Sequence, residues 1–234
     1  EIVTLSGDTV AATDLTSLNS KTSGVINATE ITSITGSLTD VNVVYAAASN
    51  GEISNLGNES VILASSSNET ASALKLLNRF TQGVIDATGV AKITGLISDV
   101  NDVLGAETNQ GTAGQQIDLD TNFTVTITDT GSVAATTLTT LDNGVPGTVT
   151  ATTVDTLTGT AAQVAAAVAA GGLTLDGNFA VTLTTDSTAT ASDLKAINTA
   201  TSGIITATGV TAISGSLSDV GDVVDVDTDT SSAG

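Results

Sequence analysis

Five aspartates recur at one place in a repeating pattern: Asp14, Asp40, Asp99, Asp193 and Asp219. Carboxylates held in register are raw material for a calcium site, which needs roughly six to eight converging oxygens. The same residues fall where short helices should begin. There an acidic side chain answers free N–H groups and the helix dipole, so capping is the stronger reading. Asp225, Asp227 and Asp229 imitate the opening of an EF-hand loop but lack its glycine and its closing glutamate. The glycine-rich nonapeptide of calcium-binding β-rolls is absent. Asp118, Asp120 and Asp176 could share a face and divide acid and base roles on a polysaccharide. That chemistry also wants a cation or an imidazole, and the chain has no His and only Lys21, Lys75, Arg79, Lys92 and Lys195, read as scattered. Phe123 and Phe179 occupy aligned positions and read as packing rather than as sugar platforms. No catalytic, cofactor-binding or metal-ligating residue is assigned, and calcium is kept as the one candidate ion.

Two polar ladders invite sharper readings. Asn19, Asn78 and Asn198, with Asp142 in the remaining copy, share one repeat position, where a residue tolerant of left-handed backbone would close a helix or turn. Thr124, Thr126 and Thr128 align between repeats with Thr182 and Thr184, as in the flat threonine arrays of ice-binding solenoids. Their counterparts Thr4, Ser6, Ser60, Ile62 and Ala64 break the array, which favours ordinary solvent-facing strand residues. Asn27, Asn58, Asn68 and Asn122 lie in N-x-[ST] sequons.

The elements that would position these residues come from an internal repeat. GVINATEITSITGSLTDVNVVY (24–45), GVIDATGVAKITGLISDVNDVL (83–104), GTVTATTVDTLTGTAAQVAAAV (147–168) and GIITATGVTAISGSLSDVGDVV (203–224) are copies of one string. Their opening glycines are 59, 64 and 56 residues apart, and the second glycines, Gly36, Gly95, Gly159 and Gly215, keep the same steps. A weaker repetition divides each unit, since Leu15 and Val41, Leu74 and Val100, Leu138 and Val164, and Leu194 and Val220 are each 26 apart.

Each half-unit reads as three sides. β-Branched runs such as 25–29, 53–58 and 84–88 form one strand side, and 2–6, 31–35 and 61–65 a second. The third side is a short helix. It is opened by Ser37, Thr160 or Ser216 with an acceptor three residues on, a signal that Leu96 breaks. Leu38, Val41 and Tyr45 share one helix face. The alternate helices, with Ala12, Leu15 and Leu18, read as one or two turns, in part 3₁₀. A half-unit this thin stacks on copies of itself, with equivalent strands paired in parallel and Val25 in register with Ile53 and Val84. The expectation is a mainly β repeat solenoid with short helices: a right-handed parallel β-solenoid of about eight coils, each with two strand faces and one short-helix side. It would form a single domain of four repeats, 1–56, 57–118, 119–176 and 177–234. Segments 49–52 and 105–116 are expected to protrude as loops.

Composition narrows the partners. With 25 acidic and 5 basic residues the net charge is −20, which disfavours phosphate backbones and anionic membrane surfaces. No apolar run approaches the ~18 residues of a membrane span. With no Met, no signal peptide and no Cys, the sequence reads as a piece of a longer chain without a disulfide framework.

LTGTAAQVAAAVAAGGLTLDGNFAVTL (157–183) and TASDLKAIN (190–198) resemble tandem repeats of very large cell-surface or secreted proteins of cyanobacteria and other marine bacteria. The resemblance covers nearly the whole chain and departs at Leu96, Pro146 and 105–116. It implies a long extracellular polymer at the bacterial surface, with no catalytic residue to carry over. The expected function is a non-catalytic structural module, a spacer or adhesin segment. The alternative is a module binding calcium or a surface partner through acidic loops. An ice-binding or polysaccharide-active solenoid is a remote third. Expected partners are further molecules stacked end to end on uncapped coils, with no nucleic acid and no membrane insertion.

Overall fold

Helix-ending segments follow one another along the whole chain in the computed structural model. It describes residues 2–108, 117–184 and 188–228, the side chains of 108 and 226–228 excepted. The first segment is β1 (Val3–Thr4), β2 (Thr9–Ala11) and α1 (Ala12–Asn19); the second is β3 (Ile26–Asn27), β4 (Ser33–Gly36) and α2 (Leu38–Ser49). Then come β5 (Ile53–Ser54), β6 (Ser60–Leu63), β7 (Glu69–Thr70) and α3 (Ala71–Asn78), followed by β8 (Ile85–Ala87), β9 (Lys92–Gly95) and α4 (Ile97–Thr108). The fifth holds β10 (Ile117–Leu119), β11 (Thr124–Ile127), β12 (Ser132–Ala134) and α5 (Ala135–Gly144), and the sixth β13 (Val149–Ala151), β14 (Thr156–Gly159) and α6 (Ala161–Val168). The last two are β15 (Leu173–Leu175), β16 (Ala180–Leu183), β17 (Thr188–Thr190) and α7 (Ala191–Ala200), then β18 (Ile205–Thr206), β19 (Ala212–Ser214) and α8 (Leu217–Thr228).

The chain divides into two compact units, Glu1–Thr124 and Val125–Gly234. In the first, β3 lies between β1 and β5, β4, β6 and β8 lie in that order between β2 and β10, and β7 pairs with β9. In the second, β13 lies between β11 and β15, β12-β14-β16-β18 run in order, and β17 pairs with β19. All these pairings are parallel.

The expected mainly β solenoid with two strand faces is therefore corrected. The chain is α/β: nineteen short strands paired in parallel in small sheets, with eight α-helices, among the described residues. More residues lie in helices than in strands. The alternate helices expected to be one or two turns, partly 3₁₀, are α-helices of 8 to 10 residues. Two continuous strand faces do not form, because β7, β12 and β17 run without a break into α3, α5 and α7 and pair with the second strand of the following segment. The first strand of that segment is then left to β6, β11 or β16. These extra strands carry little apolar sequence, so periodicity does not find them.

Pairing also differs from expectation, by one residue at β3 and by a change of partner strand at β8, which lies on β6 rather than on β5. Ile26, not Val25, pairs with Ile53, and Ile85 pairs with Val61. Val25 and Val84 are 39% and 43% exposed, whereas Ile26 and Ile85 are fully buried. A slip of one residue reverses which face a strand side chain takes.

The core is aliphatic. Ile34, Leu74, Ile85 and Ile93 are sealed in the first unit, and Ile127, Leu138, Val149 and Leu157 in the second. Burying each contributes roughly 1.5–3 kcal/mol. The second repeat glycine lets segments close on each other. Gly36 has φ +154°, and a Cβ there would stand 3.1 Å from the Ala12 methyl at the start of the preceding helix. Gly105–Thr108 belongs to α4 rather than to a loop, and 109–116 lie outside the described residues.

Candidate functional site

Polar side chains that recur in the repeats converge on three arrangements, each built between consecutive segments. The first follows from the string Thr-x-Gly at Thr81, Thr201 and Thr22. The Thr81 hydroxyl donates to the Glu59 carbonyl at 2.6 Å and accepts from the Gly83 N–H at 2.9 Å. Thr201 does the same, donating to the Phe179 carbonyl and accepting from Gly203 at 2.9 Å. Thr22 accepts from Gly24 at 3.0 Å. The opening glycine of the repeat is thereby explained: a Cβ on Gly83 would lie 2.1 Å from the Glu59 carbonyl oxygen, and one on Gly203 2.2 Å from that of Phe179. In the third copy Val145 replaces the threonine and is buried.

Glu59 occupies the place that Phe179 holds in the later hook, and it is buried. Its Oε2 accepts from the Tyr45 hydroxyl at 3.1 Å and from the Gly57 N–H at 2.7 Å. Burial pushes the Tyr45 phenol well above its ordinary value. Tyr45 stacks on Phe80 with ring centroids 5.7 Å apart. A depression of about 350 Å³ opens beside this pair, lined by Ala48, Gly51, Ile53 and Asn55 among others. Asn55 is the one non-glycine residue with positive φ among the described residues, and its amide donates to Asn27. Tyr45 and Glu59 satisfy each other here, so the phenol is held as a structural donor.

The second arrangement joins helices. Lys75 on α3 contacts Asp99 at 2.9 Å and Asp102 at 2.6 Å on α4, and Lys195 on α7 contacts Asp219 at 2.9 Å and Asp222 at 2.7 Å on α8. Hydrogen bonding to these carboxylates raises both ammonium pKa values. The Lys195 bond, then the Ser216 hydroxyl, hold Asp219 below the usual carboxylate range.

The aspartates read as helix caps sit one turn further in. The capping hydroxyls are Ser37, Thr70, Thr160, Thr190 and Ser216. Asp40, Asp193 and Asp219 supply the backbone N–H that Ser37, Thr190 and Ser216 accept. Among the described caps a reciprocal capping box is formed at Thr160 and Gln163. Ser37 also donates to the Asp40 carboxylate at 2.6 Å, and Asp14 is exposed in the first turn of α1.

The third arrangement is a set of strand ladders. Asp86 stands in register with Asp118, and Glu107 is raised by burial and then by Asp118. Asp120 accepts from the Asn122 N–H at 2.9 Å, and Asp176 lies in the other unit. Among the described residues no group of three acidic side chains is placed to share a metal ion. Asp227, as a side chain, and Asp229 lie outside the described residues. Threonines pair along sheets in another set than expected: Thr126 with Thr150 and Thr174, and Thr158 with Thr182 and Thr206. Neighbours in a sheet are about 24 residues apart, one segment rather than one repeat. The asparagine ladder has no left-handed member. Asn19 and Asn78 end α1 and α3, the Asn19 amide donates to Glu52, and Asn198 is exposed.

The lysine clamps and the Tyr45–Glu59 pair were not anticipated. The clamps had a signal, since Lys75 and Lys195 share a repeat position and each precedes a D-x-x-D string. No helix among the described residues is long and apolar enough to cross a membrane. No protein-family model, curated protein or solved structure matches the chain.

Proposed function

We propose that the chain is a non-catalytic structural repeat module, a spacer or adhesin segment of a large extracellular bacterial surface protein. The observation that carries this reading is where the recurring polar side chains are spent. Thr81, Thr201, Lys75 and Lys195 all bond to the neighbouring segment rather than into a cleft. Such residues lock each segment to the next, which is what a length of chain that must hold its form between two attachments requires. The acidic surface, −20 overall, keeps a long polymer of such modules soluble.

Pulling the full chain by its two ends tests the reading. If each segment is held by its neighbours alone, it should lengthen in successive steps of about 24 residues, roughly 80 Å of extended backbone each. Release of the whole chain in one all-or-none event would sink it. So would turnover of an acidic polysaccharide.

A further inference from the structure

The two ends of the repeat expose apolar positions that the internal copies cover more fully. Ile213 repeats Ile34, Ile93 and Leu157, which are fully buried, yet Ile213 is 38% exposed. Leu217 repeats Leu38, Ile97 and Ala161, all buried, and is 92% exposed. Val224 repeats the buried Tyr45 and the half-buried Leu104 and Val168, and is 46% exposed. At the other end Val3 accepts the place of Val61, Val125 and Val181. Its N–H donates to the Val25 carbonyl as those of Val61, Val125 and Val181 donate to Val84, Thr148 and Ile204. Those three valines are fully buried, whereas Val3 and Leu5 are partly exposed and Ile2 is 73% exposed.

What covers the internal copies is visible. β4 is covered by β6, with Ile34 opposite Val61 and Gly36 opposite Leu63; β14 is covered by β16, with Leu157 opposite Val181 and Gly159 opposite Leu183. β19 repeats β4 and β14, and among the described pairings it has a neighbour on one side, β17. Val3-Thr4-Leu5 repeats the covering strings Val61-Ile62-Leu63 and Val181-Thr182-Leu183.

We propose that the β19–α8 face of one molecule takes the β1–α1 face of a second copy, with Ile213 opposite Val3 and Gly215 opposite Leu5. The contact repeats the chemistry of an interface the chain already makes twice. It adds parallel strand pairing to an open edge and puts α8 against α1 as α2 lies on α3 and α6 on α7. Residues 203–217 and 2–7 contain no acidic or basic side chain, so the strand part of the contact is neutral. α8 carries Asp219, Asp222 and Asp225 and α1 carries Asp14, so the helix part is opposed by like charge until salt screens it. The two faces are different surfaces, so the contact is heterologous and propagates into chains of molecules. Each copy carries −20, so screening by salt strengthens the association. The inference stands on these two faces and does not depend on the spacer reading.

Sedimentation velocity of the full chain, at low and high salt over a range of concentrations, tests it. The expected result is a series of species from monomer upward that grows with concentration and with salt. Ile213→Asp and Val3→Asp should each leave a monomer, while an equimolar mixture should form a dimer and stop there, because each variant keeps the face the other lacks. Leu217→Lys, which alters a side chain already in solvent, should weaken assembly without lowering the melting temperature. Wild-type chain that is monomeric throughout overturns the proposal. So does Val3→Asp assembling alone, which would mean that like faces meet, or Ile213→Asp assembling as wild type does.

Discussion

The Lys75 ammonium stands 2.9 Å from the Asp99 carboxylate and ties α3 to α4. Its counterpart Lys195 ties α7 to α8 in the same way. The other two copies carry Thr16 and Thr139 at the lysine position, and there the second aspartate is replaced by Val43 and Ala166. Lysine and its second carboxylate thus come and go together inside one chain, whereas the first carboxylate persists without a lysine at Asp40. The clamps are solvent-exposed, so their strength should depend on salt. Replacing Lys195 by Ala should lower the melting temperature modestly at low ionic strength and hardly at all at high. In a double-mutant cycle with Asp222→Ala the coupling should shrink in parallel; a salt-independent coupling would contradict the ion-pair account.

The pH dependence of this clamp has two limits. Asp219 is held below its ordinary value of 3.8, so its contribution is present above that value and is lost as pH falls through the lowered one. Lys195 is raised above 10.5, so its contribution is present below that value and is lost as pH rises through the raised one. The melting-temperature difference between wild type and Lys195→Ala should be flat between these limits and vanish beyond each. A difference that changes near neutral pH would point to another group.

How much of this was legible in the sequence depends on the element. Gly36 and Gly83 were visible as repeat markers, and close approach to Ala12 and to the Glu59 carbonyl now accounts for them. Leu38, Val41 and Tyr45 were placed on one buried helix face, and all three are buried. β7, β12 and β17 were not legible, because strings such as Glu69–Thr70 owe their extended form to the neighbour they pair with rather than to their own side chains. The threonine array was misaligned for a related reason: comparing repeats matches Thr126 with Thr182, whereas strand pairing matches Thr126 with Thr150. Glu59 could have been noticed as an acid standing where Phe123 and Phe179 stand in later copies, a place that must be buried.

Close approach makes Gly83 and Gly203 intolerant of any side chain. Gly83→Ala drives a methyl into the Glu59 backbone and should cost about 2 kcal/mol, a fall of roughly 4–8 °C in melting temperature. Gly221, inside α8 with open space around it, is the control: Gly221→Ala should stabilise by about 1 kcal/mol through helix propensity. Equal effects at the two sites in thermal melts would refute the close-approach explanation.

Three of the five repeated carboxylates are already engaged, Asp40 by Ser37 and Asp99 and Asp219 by lysines. A calcium ion would have to displace those partners. Calcium and chelator should therefore leave the melting temperature unchanged, and calorimetric titration should give no saturable heat. A stabilisation that rises with calcium and saturates would restore a metal role for these positions.

Tyr45 is the chain's only tyrosine, and there is no Trp, so ultraviolet absorbance follows its ionisation without overlap. Burial, then the Glu59 carboxylate, keep the phenol protonated in the folded chain far above its ordinary value of 10.0. An acid raised on folding contributes stability below its unfolded value and loses it as pH rises further. Alkaline titration should therefore give phenolate only as the fold is lost, whereas denatured chain should titrate near 10.0. Tyr45→Phe removes the donor to Glu59 Oε2 and should cost about 1–2 kcal/mol, while Phe80 keeps its stacking partner. Phenolate appearing near 10.0 with the far-ultraviolet circular dichroism still intact would show that Tyr45 and Glu59 are not sealed together.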